Sequence, residues 1–130
     1  QELSALWHQH ADSKLARLVQ QGVRFLEDEA FADALPIFKQ ILRLDPKYPE
    51  AWHLLGACHF LDDQYKEAIQ CYKTCLALEP RHIGAMSGMA SIYFILNEDR
   101  IALQWLLRIQ KVTPLNSELQ DQISMTSEFV

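Results

Sequence analysis

Five histidines and three cysteines are the side chains in this sequence best suited to metal or nucleophile chemistry. The histidines, His8, His10, His53, His59 and His82, are scattered. His8 and His10, two apart, fall on different sides of a helix. Cys58 and His59 are adjacent, but neighbours on a helix diverge by about 100° and do not form a thiol–imidazole pair. His59 falls in a packing column of the pattern described below and is expected to be a core imidazole. Cys71 and Cys75 stand four apart, where the Cβ directions suit a disulfide poorly. No C-x-x-C occurs, and an odd cysteine count cannot pair completely. The three thiols therefore read as buried and structural, in a reducing compartment such as the cytoplasm or an organelle matrix, with the periplasm also compatible. No nucleophile triad, phosphate loop or carboxylate pair stands out. The expectation is a non-enzyme with no catalytic residue, no metal ligand and no cofactor.

The composition narrows the partners. The chain has 130 residues, 12 Lys plus Arg against 17 Asp plus Glu, and a formal charge of −5. That balance lacks the basic footprint that displaces counterions from a nucleic acid, so no nucleic-acid partner is expected. With 49% hydrophobic residues and only 4 glycines and 5 prolines, it is the composition of one globular domain. The uncharged stretch from Ile83 to Leu96 is shorter than the ~20 residues that cross a bilayer, so no membrane insertion is expected.

What must position any functional side chain is a repeat. Pro46, Pro80 and Pro114 recur at one constant interval, and Ala34, Ala68 and Ala102 recur at the same one. Gly22, Gly56 and the small Ala90 share the period, and so do the rings of Phe25, His59 and Tyr93. Four columns in one register, with a period of about 34 residues, mark stacked repeats. The units are 15–48, 49–82 and 83–116, flanked by 1–14 and 117–130. In the second unit, Ala51 to Leu61 is apolar on nearly every side, Asp62-Asp63-Gln64 makes a polar turn, and Tyr65 to Leu78 is amphipathic. Glu79-Pro80 ends that helix, because a residue before proline resists the α region. Each unit thus predicts an inner helix packed from several sides and an outer helix packed on one. Gly56 with Ala68, Gly22 with Ala34 and Ala90 with Ala102 are expected to let the paired backbones approach closely. Pro36, inside the second helix of the first unit, is expected to kink or delay it.

These columns resemble the tetratricopeptide repeat, whose Trp-x-x-Leu-Gly-x-x-Tyr, Ala, Phe, Pro pattern recurs with the same period. Unit two supplies Trp52, Leu55, Gly56, Ala68 and Pro80, with His59 and Tyr72 at the two ring columns. Unit one supplies Gly22, Phe25, Ala34, Phe38 and Pro46, with Leu18 and Gln21 at the Trp and Leu columns. Unit three supplies Tyr93, Ala102 and Pro114, with Met86, Met89, Ala90 and Leu106 at the others. The resemblance implies an all-α, right-handed superhelix of three helix–turn–helix repeats plus a C-terminal capping helix, a protein-binding solenoid whose inner helices line a concave groove. It places Val19, Val23 and Leu26, then His53, Ala57 and Phe60, then Ser87, Ser91 and Phe94 on that groove, a mostly apolar surface for a peptide or protein partner. An adaptor, complex subunit or assembly factor would fit. A three-repeat chain with an apolar groove and flanking helices is also similar to the chaperones of type III secretion translocators. Some family members clamp the C-terminal carboxylate of heat-shock chaperones with Lys, Asn and Arg. The matching positions here are Val19, Val23, Leu54, Gly84 and Gly88, which offer no such side chain.

The ends of the array differ. The stripe that meets a preceding unit is Ala51, Leu54, Cys58 and Leu61 in unit two, but Arg17, Gln20, Arg24 and Glu27 in unit one, a polar face suited to solvent. Leu3, Leu6 and Trp7, at helical spacing, read either as a short helix docked beside unit one or as the frayed end of a longer segment. The last outer helix is unusually apolar, with Leu107 at the column of Lys39 and Lys73. Residues 117–130 are expected to cover it as a solvating helix through Leu119, Ile123 and Met125, and the same face is a candidate surface for homo-oligomers. The turns within units gather Glu27, Asp28, Glu29, Asp62, Asp63, Glu98 and Asp99 at one edge, opposite a mixed edge with Arg43, Lys47, Arg81 and Lys111.

Overall fold

A computed structural model describes residues 2–113 and 117–129, with side chains within 13–113 and 118–127. Its helices are α1 Glu2–Glu27, α2 Phe31–Leu44, α3 Pro49–Leu61, α4 Tyr65–Leu78, α5 Ile83–Ile95, α6 Asp99–Val112 and α7 Ser117–Phe129. No strand occurs among the described residues. None of the described helices is long and apolar enough to cross a membrane.

Both kinds of turn follow from local chemistry. Within each unit the inner helix closes in the same way. Ala30 N–H donates to Phe25 O, Gln64 to His59 O and Glu98 to Tyr93 O, each at 2.8 Å. The residue before each donor, Glu29, Asp63 or Asn97, takes a φ between 57° and 61°. This is a Schellman ending carried by non-glycine residues, which satisfies carbonyls the helix would otherwise leave open. Between units, each outer helix stops at Asp45, Glu79 or Thr113, with φ from −146° to −131°. Each of these precedes a proline that disfavours helical backbone there. Trp52 adds a tether, its indole N–H donating to Pro46 O at 2.8 Å.

The helices pair as α1 with α2, α3 with α4 and α5 with α6, and each outer helix then meets the next inner one. Inner helices also touch one another, α1 with α3 and α3 with α5, whereas α2 does not reach α4 nor α4 reach α6. Closer packing of the inner row bends the stack so that this row lies on the concave side. One core cluster joins units one and two around Phe38, Ile41, Ala51 and Leu55, and a second joins units two, three and α7 around Tyr72, Met89, Ile92 and Leu106.

Several expectations are corrected. α1 runs unbroken through residues 14 and 15, so the flanking segment is the first part of a 26-residue helix and not a separate docked one. Pro36 lies inside α2, past its first turn, and neither delays it nor ends it. The columns of small residues also pack differently. The nearest neighbours of Gly22, Gly56 and Gly88 are rings. A Cβ at Gly22 would collide with Phe38, one at Gly56 would stand 2.8 Å from Tyr72 Cε1, and one at Gly88 would also collide with Tyr72. Unit three exchanges volume between the same two columns, with Ala90 for glycine and Leu106 for the ring, both buried.

α7 continues the register: Leu119, Ile123 and Thr126 lie one period beyond Ala85, Met89 and Ile92. Leu119 and Thr126 are buried, and Thr126 is satisfied by donating to Gln122 O. Met125 is 62% exposed, so Thr126 takes the inward place expected of Met125. Leu107 remains 39% exposed, because α7 covers the Leu106–Ile109 side of α6 and leaves the Leu107 side open. Arg17, Gln20, Arg24 and Glu27 are exposed, as their polarity requires.

Candidate functional site

The concave row carries the groove positions, and the structure divides them. Val19 and Val23 are half-buried on α1. Leu26 is buried in the first core cluster; it is a core residue and not a groove contact. Phe60 is half-buried, its ring meeting Tyr65 edge-on at 5.8 Å, so one face of it is already occupied. Ala57 packs on the first cluster. Ser87 and Ser91 are exposed, and Phe94 is half-buried beside them.

Those last three residues converge on a cleft. α7 packs against α6 and its backbone stays apart from that of α5, so a space between α5 and α7 stays open above α6. The cleft holds about 360 Å³. Ser87, Ser91 and Phe94 form one wall, Leu106 and Ile109 the floor, and Glu118 and Gln122 the other wall. A smaller hollow continues past Phe94 to Met125. Across the described stripe of inner helices, from Ala16 through Met125, there is no Lys or Arg, whereas Glu50, Glu118 and Asp121 supply carboxylates. The cleft can therefore seat an apolar side chain, with serine hydroxyls and a carboxylate to meet polar or cationic neighbours.

The histidines, scattered in sequence, are not all scattered in space. Glu50, at the start of α3, contacts His53 Nδ1 at 3.1 Å through Oε1 and His82 Nε2 at 3.0 Å through Oε2. His82 also caps α5, its Nδ1 accepting from Ala85 N–H at 3.0 Å. A neutral imidazole has one donor and one acceptor nitrogen, so the cap places the His82 proton on Nε2, donated to Glu50. The rings of His53 and His82 lie 4.9 Å apart. Burial would raise the Glu50 carboxyl, but the hydrogen bonds from His82 and His53, together with their charges, outweigh it and hold the carboxyl below its ordinary value. The signal for this cluster was the repeat itself: His82 falls close to one period after Glu50, and stacking brings successive inner-helix starts together.

The sign of that shift gives a prediction. A depressed carboxyl contributes stability above its unfolded value, near 4.5, and loses it as pH falls through the lower folded value. Because Glu50 is partly exposed, the contribution is on the order of 1 kcal/mol or less. Glu50→Gln should lower Tm at neutral pH, and the gap to wild type should close below pH ~4 in parallel melting curves. A gap that is constant with pH would remove the pairing argument.

The thiols are buried and free. Burial pushes Cys71 and Cys75 up to about 11 and raises Cys58, so none is poised as a thiolate nucleophile. His59 is half-buried and not fully in the core; it lines a hollow with Phe31, Leu35, Cys58 and Asp62, and burial lowers its pKa.

Residues 25–72 match a family model described as tetratricopeptide repeat. No curated protein matches the sequence. Solved structures share the fold. The first TPR of Spaghetti (RPAP3), solved with the HSP90 peptide SRMEEVD, superposes with a TM-score of 0.81 at 18% identity, over 89% of this chain and 94% of that one. The Sgt2 TPR domain from Aspergillus fumigatus gives a TM-score of 0.78 at 14% identity, over 88% of this chain and 78% of that one. The type III secretion translocator chaperone SycD of Yersinia enterocolitica gives a TM-score of 0.76 at 19% identity, over 91% of this chain and 81% of that one. At these identities the likeness is one of fold.

Proposed function

We propose that this chain, a member of the tetratricopeptide-repeat family, is a non-catalytic interaction module that binds a segment of a protein partner along its concave face, as an adaptor, complex subunit or assembly factor. The observation that carries this reading is the open cleft between α5 and α7, with its apolar floor of Leu106 and Ile109 beside Phe94. An apolar anchor from the partner fits there, and Phe60 and Ala57 extend the contact along the row toward Val23 and Val19. His53, Ser87 and Ser91 supply the polar contacts. The partner differs from an acidic C-terminal tail, because the positions that would clamp one hold Val19, Val23, Leu54, Gly84 and Gly88, and the inner stripe adds the carboxylates of Glu50, Glu118 and Asp121. The buried thiols fit a reducing compartment.

Affinity purification from the native source, followed by calorimetry on the recovered partner, tests the reading. Phe94→Ala and Phe60→Ala should each weaken binding by ~1–3 kcal/mol while leaving the circular dichroism spectrum unchanged. A partner that binds both variants as tightly as wild type would place the contact surface elsewhere.

A further inference from the structure

The cluster where unit two meets unit three is made of the residue types that hold borderline transition metals. One carboxylate oxygen of Glu50 and one nitrogen from each of His53 and His82 lie within 4.8 Å of one another. Tetrahedral zinc bound at its usual ligand distances separates its ligand atoms by about 3.3 Å, a spacing this trio reaches by small side-chain rotations, since Glu50 now meets His53 at 3.1 Å through one oxygen and His82 at 3.0 Å through the other. All three residues are half-buried, so a cation could enter from solvent while leaving only part of its shell in water. Gly84 leaves room for the two rings to come together: a Cβ there would stand 2.8 Å from His53 Nε2 and 3.0 Å from His82 Cε1.

We propose that Glu50, His53 and His82, brought together across the junction of units two and three, form a binding site for a divalent transition-metal cation of the zinc class. Imidazole and carboxylate donors suit zinc, nickel and copper and do not suit magnesium or calcium, which take oxygen ligands. Three protein ligands leave a fourth position for water or a donor from another molecule. The site shares His53 with the proposed groove, but its test is separate, since it reads the binding of the metal alone.

Binding has a defined structural consequence. For His82 to ligate through Nε2, the proton there must move to Nδ1, which then no longer accepts from Ala85 N–H. The metal and the helix cap therefore compete for one ring, and occupancy should loosen the first turn of α5. A ligating histidine usually donates its second N–H to an acceptor. Here it faces a donor, so affinity should be moderate.

Titration of the full chain with zinc chloride, followed by calorimetry, should show saturable one-to-one binding and a rise in Tm with zinc concentration. Cobalt should give the visible bands of a tetrahedral site without a thiolate charge-transfer band. His53→Ala and Glu50→Ala should each lower affinity on the order of 100-fold. His82→Asn is the decisive variant, because asparagine is a strong helix cap and removes only the imidazole. It should lower the metal-free Tm by no more than Glu50→Gln does, through loss of the Glu50 hydrogen bond, and lose zinc binding. His59→Gln, and the pair His8→Gln with His10→Gln, should bind zinc like wild type. In the amide NMR spectrum the Ala85 resonance should move on zinc addition. Absence of saturation at submillimolar zinc, binding retained by His82→Asn, or binding lost with the His8 and His10 changes would each overturn the site and leave the cluster as a hydrogen-bonded latch between repeats.

Discussion

Tyr72→Ala should lower stability by about 3–5 kcal/mol and Tm by roughly 10–20 °C. The side chain is 3% exposed and stands between two glycines, Gly56 on α3 and Gly88 on α5. It is thus the common wall of the second helix pair and of the junction to the third. Truncation leaves a void that the bare glycine backbones cannot fill, and helix–helix contact is what stabilises units too small to bury their own faces. The effect should exceed that of removing an apolar residue from only one interface. Unit three supplies the comparison, since it replaces the glycine–ring pair with Ala90 and Leu106. Gly56→Ala alone should overpack against Tyr72 and cost ~1–3 kcal/mol. Combined with Tyr72→Leu it should cost less than the sum of the single changes, a coupling readable in a double-mutant cycle by urea denaturation. Additive costs would mean that the two columns do not exchange volume.

The array was legible in the sequence because its determinants are local or periodic. The prolines at 46, 80 and 114 end helices by restricting the residue before them, and the helical spacing of apolar residues from Tyr65 to Leu78 gives a helix with those limits. The polar stripe from Arg17 to Glu27 is readable for the same reason. Direction of packing is harder. A column of small residues says that something comes close but not what, and the approaching groups are the rings of Phe38 and Tyr72. The left-handed column Glu29, Asp63, Asn97 is also easy to miss, because two of its residues are acidic and read as charge before they read as backbone. The groove was legible as a row of positions and not as a surface. Leu26 drops into the core, and Phe60 meets Tyr65, because neighbouring helices decide which side of each residue is covered. Contacts between residues near one period apart, as in Glu50, His53 and His82, become visible only when whole units are superposed.

Removal of α7 by truncation before Ser117 should cost about 2–5 kcal/mol of stability and promote self-association. Leu119 is 5% exposed and Ile123 packs beside it, and burying such a side chain contributes roughly 1.5–3 kcal/mol. Their loss would expose Leu106, Ile109 and Val112 together, a continuous apolar strip on the last pair. Sedimentation velocity over a range of concentrations should then show larger species, and Leu119→Asp in the full chain should reproduce the loss of stability by burying a charge. Leu107→Lys provides the contrast. Leu107 is as apolar as its neighbours and occupies a column that is lysine in both earlier units, but it points away from α7. Its replacement should change stability by no more than ~0.5 kcal/mol. A large loss at Leu107 with little change at Leu119 would mean that the terminal helix covers the opposite side of α6, and the cleft walled by Glu118 and Gln122 would not exist.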